Sequence, residues 1–290
     1  MNTDIPRHVL VTGSSTGIGK ACALHLAQTG FSVIAAVRRP TDGEQLQSLS
    51  KNLRPIQLDI ASSESIVAAT KQIAEITGDS GLTGLVNNAG IGVLGPVEFV
   101  TPEDWRRQFE VNVVGHVAIT QNMLPLLRRH VARQGRNSAR IVFIGSIAGR
   151  VTIPTLGPYS ASKHAIAAVA AALRMELREQ GILVSLLEPG AIQSEIWRKG
   201  DDFASSIPAD APARQLYGKV IEAVIRTSQA SAADAIPADR VARLVHHCMI
   251  SSNPPRRKVV GRDAIFAAIL RRMVPEKWFD KILYSILKVG

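Results

Sequence analysis

A chain of 290 residues, of which 46% are hydrophobic, can bury a large core, so it needs neither disulfides nor metals to hold a small fold together. Its formal net charge is +10, and the 35 residues from Arg256 onward contain nine basic and three acidic side chains. No stretch of about 18 apolar residues suits a membrane span. Because Met1 to Pro6 also lack a targeting pattern, we expect a cytoplasmic protein.

Short apolar runs alternate with longer segments of helical spacing along the chain. Strands that are apolar throughout and separated by helices are typical of a parallel sheet covered on both faces. The sequence therefore predicts an α/β fold with a single doubly wound Rossmann-type sheet, whose ligands bind beyond the carboxyl ends of the strands. The predicted strands cover 9–12, 31–37, 55–58, 82–86, 140–144, 183–187 and 257–260, and the predicted helices include 18–28, 65–76, 111–130 and 166–178.

The pattern loosens after residue 187, where Gly and Pro interrupt a stretch of mixed polarity. Such a stretch is typical of a mobile lid rather than of a second domain, and we place this lid at about residues 191–235. A helix resumes after Pro237. We therefore expect one catalytic domain over 1–262 and an amphipathic extension of the same domain over 263–290.

The first predicted strand runs into a glycine-rich turn, TGSSTGIG at 12–19, and then into a helix. Glycines let the backbone approach a pyrophosphate, and the N–H groups at the start of a helix favour its negative charge. An ordinary strand-to-helix turn is the alternative interpretation. The position after the first strand favours a dinucleotide site, with contacts from Gly13, Ser15, Thr16, Gly17, Ile18 and Gly19.

The second predicted strand ends in two arginines, Arg38 and Arg39, with no acidic residue beside them. An acidic side chain at this point binds the adenosine 2′-hydroxyl of NAD, whereas a guanidinium suits a 2′-phosphate. The sequence therefore predicts NADP(H) in preference to NAD(H), with Arg38 as the main contact and Arg39 as a secondary one. The alternative is that both arginines are only solvated.

Six further motifs follow the glycine turn in order: Leu58-Asp59-Ile60, Asn87-Asn88-Ala89-Gly90, Asn112, Ser146, Tyr159 with Lys163, and Pro189-Gly190. Together with the glycine turn, and over about residues 9–260, they resemble the short-chain dehydrogenase/reductase family. The resemblance implies the family's fold and an oxidoreductase acting on alcohols or carbonyls with NAD(P). The cofactor contacts implied by the resemblance are Asp59, Ile60, Asn88, Ala89, Gly90, Tyr159, Lys163, Pro189, Gly190, Ile192 and Ser194.

The chemistry centres on Tyr159 and Lys163, which lie four residues apart and so share one face of a helix. A phenol has a pKa near 10, but a neighbouring ammonium and an oxidised nicotinamide favour its anion, so Tyr159 is the predicted general acid or base. The Ser146 hydroxyl is predicted to bind the substrate oxygen. The family pattern implies that Lys163 also holds the nicotinamide ribose and that Asn112 supports a water on the proton path.

Substrate information lies in the predicted lid and in nearby loops. Trp197 is a predicted substrate contact, or else it packs on the protein itself. The loops at the strand ends offer apolar side chains and no charged anchor, which favours a lipophilic alcohol or ketone. The EPGAIQSEIW segment resembles the branch of 17β-hydroxysteroid and retinol dehydrogenases, with Ser194 where threonine is usual. Alternatives are a smaller acyl or quinone carbonyl, or a non-catalytic NADP-binding regulator.

The C-terminal extension contains an amphipathic stripe of Trp278, Ile282 and Ile286 with basic flanks. Such a helix can cap the substrate entrance, pack on a partner subunit, lie on an anionic membrane or pack on its own domain. We expect a homodimer or homotetramer formed through the helices after Asn112 and Lys163. We expect no nucleic-acid binding, because the positive charge lies in the C-terminal tail, which has few aromatic residues.

The remaining cysteines and histidines suggest no further site. Cys22 and Cys248 have no neighbours spaced as metal ligands, so we predict buried thiols and neither a disulfide nor a metal. His116 and His164, like the pair at 246–247, have no partner nearby in sequence and are expected to be neutral.

Overall fold

The computed structural model describes residues 6–193, 211–233 and 235–289. Seven parallel strands form one sheet in the order β3-β2-β1-β4-β5-β6-β7. The order reverses between β1 and β4, and a ligand crevice opens beyond the strand ends at such a point. The strands are β1 (His8–Val11), β2 (Ser32–Val37), β3 (Leu53–Gln57), β4 (Gly84–Asn87), β5 (Ala139–Ile144), β6 (Ile182–Pro189) and β7 (Arg257–Val260).

Helices cover both faces of this sheet. Side-chain caps fix two of their starts, because Ser62 accepts a hydrogen bond from the Ser65 N–H and Thr101 accepts one from the Asp104 N–H. The helices are α1 (Gly17–Gln28), α2 (Pro40–Gln47), α3 (Ser63–Thr77), α4 (Pro102–Phe109), α5 (Gly115–Gln134), α6 (Gly157–Glu176), α7 (Pro212–Ala233), α8 (Ala238–Ile250), α9 (Arg262–Met273) and α10 (Glu276–Leu287). A π-helical turn, Glu110–Val114, joins α4 to α5.

The core consists of two layers, one on each face of the sheet. Successive strand residues point to opposite faces, so Leu10 joins the layer under α3, α5 and α6, while Val9 and Val11 join the layer under α1 and α8. Every residue of β5 is buried. The doubly wound sheet predicted from the sequence is confirmed.

One region differs from its sequence-based description. Helix α7 covers 212–233, within the stretch that we expected to be loose and lid-like. Ala213, Tyr217 and Ile221, spaced by four, lie along one side of α7, where Ala213 and Ile221 are buried and Tyr217 is partly buried. The polar residues between them obscure this spacing in the sequence. In the part of the chain that is described, no helix combines the length and the apolarity that a membrane crossing requires.

Candidate active site

Hydrogen bonds attach the glycine turn to the residues that follow β4. The Thr12 hydroxyl accepts hydrogen bonds from the backbone N–H groups of Asn88 (2.9 Å) and Ala89 (3.1 Å). The Asn88 side chain donates back to the Thr12 carbonyl at 2.9 Å. Gly13 has φ +66°, and a Cβ there would lie 2.8 Å from the Ala89 Cα, while a Cβ on Gly19 would lie 2.1 Å from the Gly13 carbonyl. Both positions therefore require glycine.

A cleft of about 230 Å³ opens above this turn, beyond the carboxyl ends of the strands. The Thr16 side chain does not cap α1, so the first N–H groups of that helix face the cleft without a side-chain partner. This cradle fits a pyrophosphate. The sequence-predicted residues that line the cleft are Gly13, Ser15, Thr16, Gly17, Ile18, Arg38, Asp59, Ile60, Asn88, Ala89, Gly90, Tyr159 and Lys163.

The two arginines after β2 have different surroundings. Arg38 lines the cleft together with Asp59. Arg39 instead holds Asp42 with two hydrogen bonds, from Nε to Oδ2 at 3.1 Å and from Nη2 to Oδ1 at 2.8 Å, and it does not line the cleft. This bidentate pair turns the Arg39 guanidinium toward α2. The secondary cofactor contact of Arg39 stays a prediction, and in the protein alone its guanidinium is held by Asp42.

The predicted residues after β6 lie beside the cleft rather than in its wall. The Gly190 N–H donates to the Val260 carbonyl at 2.8 Å, and Ile192 pairs with Ile236 in an isolated bridge. A carboxylate from the start of α9 holds this turn, because Asp263 Oδ2 accepts from the Ala191 N–H at 3.0 Å. Pro189 ends the strand. Ser194 and Trp197 lie outside the described residues.

Helix α6 brings the predicted chemical groups together. Tyr159 and Lys163 both line the inner end of the cleft, with the Lys163 Nζ 5.7 Å from the centre of the Tyr159 ring. The Ser146 side chain lies near the Tyr159 phenol and acts to lower its pKa. Ser146 follows β5 and accepts a hydrogen bond from the Ala148 N–H at 3.1 Å. Lys163 Nζ donates to the carbonyl of Ile144 at 3.0 Å.

Burial moves the pKa values of the phenol and of the ammonium in opposite directions. The pKa of Tyr159 is raised because burial disfavours the phenolate, and the Ser146 hydrogen bond only partly opposes this. The pKa of Lys163 is lowered to about 8 because burial disfavours the ammonium. The pKa of the phenol is therefore raised in the protein alone, where burial is the dominant cause, and the expected fall beside Lys163 is absent.

Asn112 lies in the π-helical turn, and its side chain is fully engaged with protein atoms. Its Oδ1 accepts from the Ile91 N–H at 2.9 Å, and its Nδ2 donates to the Ile91 carbonyl (3.0 Å) and to Ser162 Oγ (3.1 Å). Ser162 in turn donates to the Tyr159 carbonyl at 2.7 Å. The amide of Asn112 therefore positions the backbone around Tyr159, and its support of a water on the proton path stays a prediction.

Two further side chains support the same loop and were not predicted to have a role. Gln108 accepts from the Val93 N–H at 2.6 Å and donates to the Ile91 carbonyl at 3.0 Å. His116 Nε2 lies 2.6 Å from the Ala89 carbonyl. Burial and the nearby Lys163 lower the pKa of His116 to about 4, so the ring is neutral and Nε2 donates. The sequence signal was the spacing of four that places Gln108, Asn112 and His116 in one row.

Comparison with known proteins gives a consistent result. The family model for short chain dehydrogenase matches residues 7–204. The "NADPH-dependent 3-dehydrocapnine reductase" of Ornithobacterium rhinotracheale is 33% identical over 97% of this chain and 98% of its own. The "17-beta-hydroxysteroid dehydrogenase type 6" of Bos taurus is 34% identical over 96% of this chain and 87% of its own.

A solved structure extends the likeness to the fold. A short-chain dehydrogenase from Streptomyces avermitilis superposes with a TM-score of 0.78 at 25% identity, covering 99% of this chain and 97% of that one. The sequence-based resemblance is thereby confirmed, and the chain belongs to the short-chain dehydrogenase family of oxidoreductases.

Proposed function

We propose that this protein is an NADP(H)-dependent oxidoreductase that interconverts a ketone and a secondary alcohol on a lipophilic substrate. The observation that carries the proposal is one continuous cleft, with Arg38 at the end of β2 and with Tyr159 and Lys163 at its inner end. The NADPH-dependent relative from Ornithobacterium rhinotracheale supports the cofactor, by analogy.

The residues of the site divide the work of carbonyl reduction. The bound cofactor supplies the hydride. Tyr159 donates a proton to the carbonyl oxygen, and its raised pKa keeps that proton on the phenol at neutral pH. Ser146, which lies near the phenol, hydrogen-bonds the same oxygen as negative charge develops on it. Lys163, held by the Ile144 carbonyl, provides positive charge next to the phenolate that forms.

The proposed substrate is steroid-like or retinoid-like, and its apolar body extends from the reacting carbon. Supporting it, the loop between Ser146 and Tyr159 exposes apolar side chains, including Ile153, and offers no carboxylate. The Bos taurus relative is named for a hydroxysteroid, and a Rattus norvegicus relative, 33% identical over 96% of this chain, is named "Retinol dehydrogenase 7". The lid over this substrate, at about residues 191–235, stays a proposal, and helix α7 within that range is attached to residues 98 and 99.

A substrate panel with two cofactors tests the proposal. Lipophilic ketones are offered with NADPH or NADH to the wild type and to Arg38→Asp, and oxidation of the nicotinamide is followed by absorbance. We expect the wild type to prefer NADPH. Hydrogen bonds to charged groups contribute about 1.5–3 kcal/mol, so the variant should lose about 10- to 100-fold in kcat/KM for NADPH, with NADH little changed. Arg39→Asp is the matched control, because Arg39 is already held by Asp42. An unchanged preference in Arg38→Asp would refute the 2′-phosphate contact.

We also propose that the outer face of α9 and α10 contacts an anionic membrane surface. Exposed apolar side chains are concentrated there, among them Phe266, Met273, Trp278 and Ile286. Exposed basic residues lie between them, including Arg272 and Lys281, and Lys281 Nζ is 4.9 Å from the Trp278 ring. An apolar surface with basic flanks is typical of helices that lie in a membrane interface.

Association into a homodimer through α5 and α6 is proposed on the family resemblance. Met175 on α6 is exposed and the neighbouring alanines are partly exposed, which leaves an apolar strip along this helix. Light scattering should give twice the mass of the chain, and a monomer at micromolar concentration would contradict this assembly.

A further inference from the structure

A buried carboxylate on β6 has no part in the chemistry described so far. The side chain of Glu188 is 1% exposed, and two guanidinium groups bind it. Arg150 Nε donates to Oε2 at 2.7 Å, while Arg257 donates from Nε to Oε2 at 2.8 Å and from Nη2 to Oε1 at 2.6 Å. Buried ion pairs contribute little net stability, because the loss of hydration offsets their attraction. The arrangement is better explained by what it positions.

The two arginines attach different parts of the fold to this carboxylate. Arg257 belongs to β7, the last strand at the edge of the sheet, and its side chain is 40% exposed. Arg150 lies four residues after Ser146, and its side chain is 31% exposed. Glu188 therefore connects β6 to the edge strand on one side and to the Ser146 segment on the other.

The Ser146 segment is a short turn, and the residues on both sides of it are attached to β6. Before the turn, the Gly145 N–H donates to the Leu187 carbonyl at 2.7 Å. After the turn, Arg150 binds Glu188, the next residue of the same strand. Because Gly145 also lines the cofactor cleft, this double attachment sets where Ser146 enters the site.

Contacts within the turn transmit this attachment to the Ser146 side chain. The Ser146 carbonyl accepts from the Gly149 N–H at 2.9 Å, and the hydroxyl oxygen accepts from the Ala148 N–H at 3.1 Å. A hydroxyl that accepts this bond can still donate its own proton. Gly149 packs closely on α6, since a Cβ there would lie 2.8 Å from the Lys163 carbonyl. A displacement at Arg150 therefore moves the Ser146 hydroxyl.

We propose that Glu188 is a positioning residue of the reduction. Through Arg150 it fixes the turn at 147–149, so that the Ser146 hydroxyl meets the substrate oxygen where negative charge develops. A hydrogen-bond donor that is already in place stabilises this charge without reorganisation. Glu188 itself does not line the cofactor cleft. The inference rests on the proposed reductase function and adds a residue that acts through Ser146.

Two matched substitutions test this role. Arg150→Met and Arg257→Met each remove one partner of Glu188 and each change a partly exposed side chain, so both variants should fold with a similarly lowered Tm. For a ketone that the wild type reduces, Arg150→Met should lower kcat at least about tenfold and leave KM within about twofold, because the lost interaction forms only in the transition state. Arg257→Met should keep kcat within about twofold, because Arg150 still binds Glu188. Glu188→Gln should lower kcat as Arg150→Met does.

A double-mutant cycle shows whether Arg150 acts through Ser146. In a Ser146→Ala background, Arg150→Met should cause no further loss of kcat, since the hydroxyl that it positions is gone. The same loss in both backgrounds would overturn the proposal. Equal losses in the two arginine variants would also overturn it, because a general loss of stability would then explain them.

Hydrogen exchange separates this proposal from the reductase function. If the wild type reduces no ketone, the reductase function is wrong, and exchange of the backbone amides at 148 and 149 then tests the positioning alone. These amides should exchange at least about tenfold faster in Arg150→Met than in Arg257→Met, because the turn opens locally when its attachment is lost. Equal exchange in the two variants would show that Glu188 does not position the turn.

Discussion

At the inner end of the cleft, burial is the main influence on the pKa values of Tyr159 and Lys163. Lys163 is 6% exposed and Tyr159 is partly buried, so burial drives each side chain toward its neutral form. For the phenol this retains a proton that carbonyl reduction consumes. For the amine it means that the positive charge beside the phenol is lost at a moderately alkaline pH.

A pH profile tests this assignment. The pKa of Lys163 is lowered to about 8, so its ammonium is present below that pH and absent above it. We expect kcat/KM for reduction to fall as pH rises through about 8. Tyr159 does not account for this limb, because its pKa is raised, and neutral His116, with a pKa of about 4, adds no limb between pH 5 and 7.

The control is Lys163→Arg, whose guanidinium stays charged across this range. Its profile should lack the limb near pH 8. A flat wild-type profile up to pH 9, or the same limb in the arginine variant, would contradict the assignment to Lys163.

The motif residues could be predicted because their signals are local in sequence, such as the Tyr159 and Lys163 spacing or the glycines of the turn. Partners far apart in the chain could not. Asp263 meets Ala191 across 72 positions, and nothing near either residue indicates the contact. The side-chain partners of Asn112 could not be predicted for a related reason, since the Ile91 backbone that its amide binds is placed only by the folded loop.

At the scale of elements, the start of α9 is connected to the turn after β6. A Cβ on Gly190 would lie 2.3 Å from Asp263 Oδ2, so the carboxylate and the glycine fit each other closely. The C-terminal extension is therefore attached to the Pro189-Gly190 turn that the family resemblance assigns to the cofactor.

Removing this carboxylate tests the connection. Asp263→Ala leaves the Ala191 N–H, in a residue that is 8% exposed, without its partner, and such a loss costs about 1–3 kcal/mol. We expect a lower Tm and a higher KM for NADPH, while Asp263→Asn, which keeps an acceptor oxygen, stays near the wild type. Thermal melts and initial rates measure both quantities. An alanine variant that matches the wild type in each would show that α9 does not position the turn.

Helix boundaries show where pattern reading ends. The central strands β1, β2, β4 and β5 are largely apolar, so both layers of the core could be predicted, whereas α7 is amphipathic and resembles a loop in sequence. The side of α7 that faces the domain is determined by contacts of Tyr217 with residues 98 and 99, more than a hundred positions away in the chain. The extension packs as two helices, with Phe279 and Leu287 inward and Trp278 and Ile286 outward, so the predicted stripe is divided between core and surface.

At the scale of the whole molecule, positive charge and exposed apolar side chains coincide on the C-terminal helices. Sedimentation with vesicles tests the membrane proposal. We expect binding to vesicles rich in phosphatidylglycerol, weaker binding to phosphatidylcholine, and a loss of binding as salt rises.

The variant for this test combines Phe266→Ser with Trp278→Ser. Because each buried apolar side chain contributes about 1.5–3 kcal/mol, this variant should sediment with vesicles at least about fivefold less than the wild type. Its ketone reduction in solution should be unchanged. Leu49→Ser, similarly exposed but just after α2, is the control. Equal sedimentation of all three proteins would contradict a role for this face.

The central claim is that Tyr159 donates the proton in an NADPH-dependent reduction, and Tyr159→Phe tests it most directly. Positioned general acids contribute about 10²- to 10⁴-fold, so kcat for a ketone that the wild type reduces should fall at least about 100-fold. The Kd for NADPH, measured by nicotinamide fluorescence, should stay within about threefold, because the ring and the Lys163 contact to Ile144 remain. A variant that keeps kcat within a few-fold of the wild type would contradict the account.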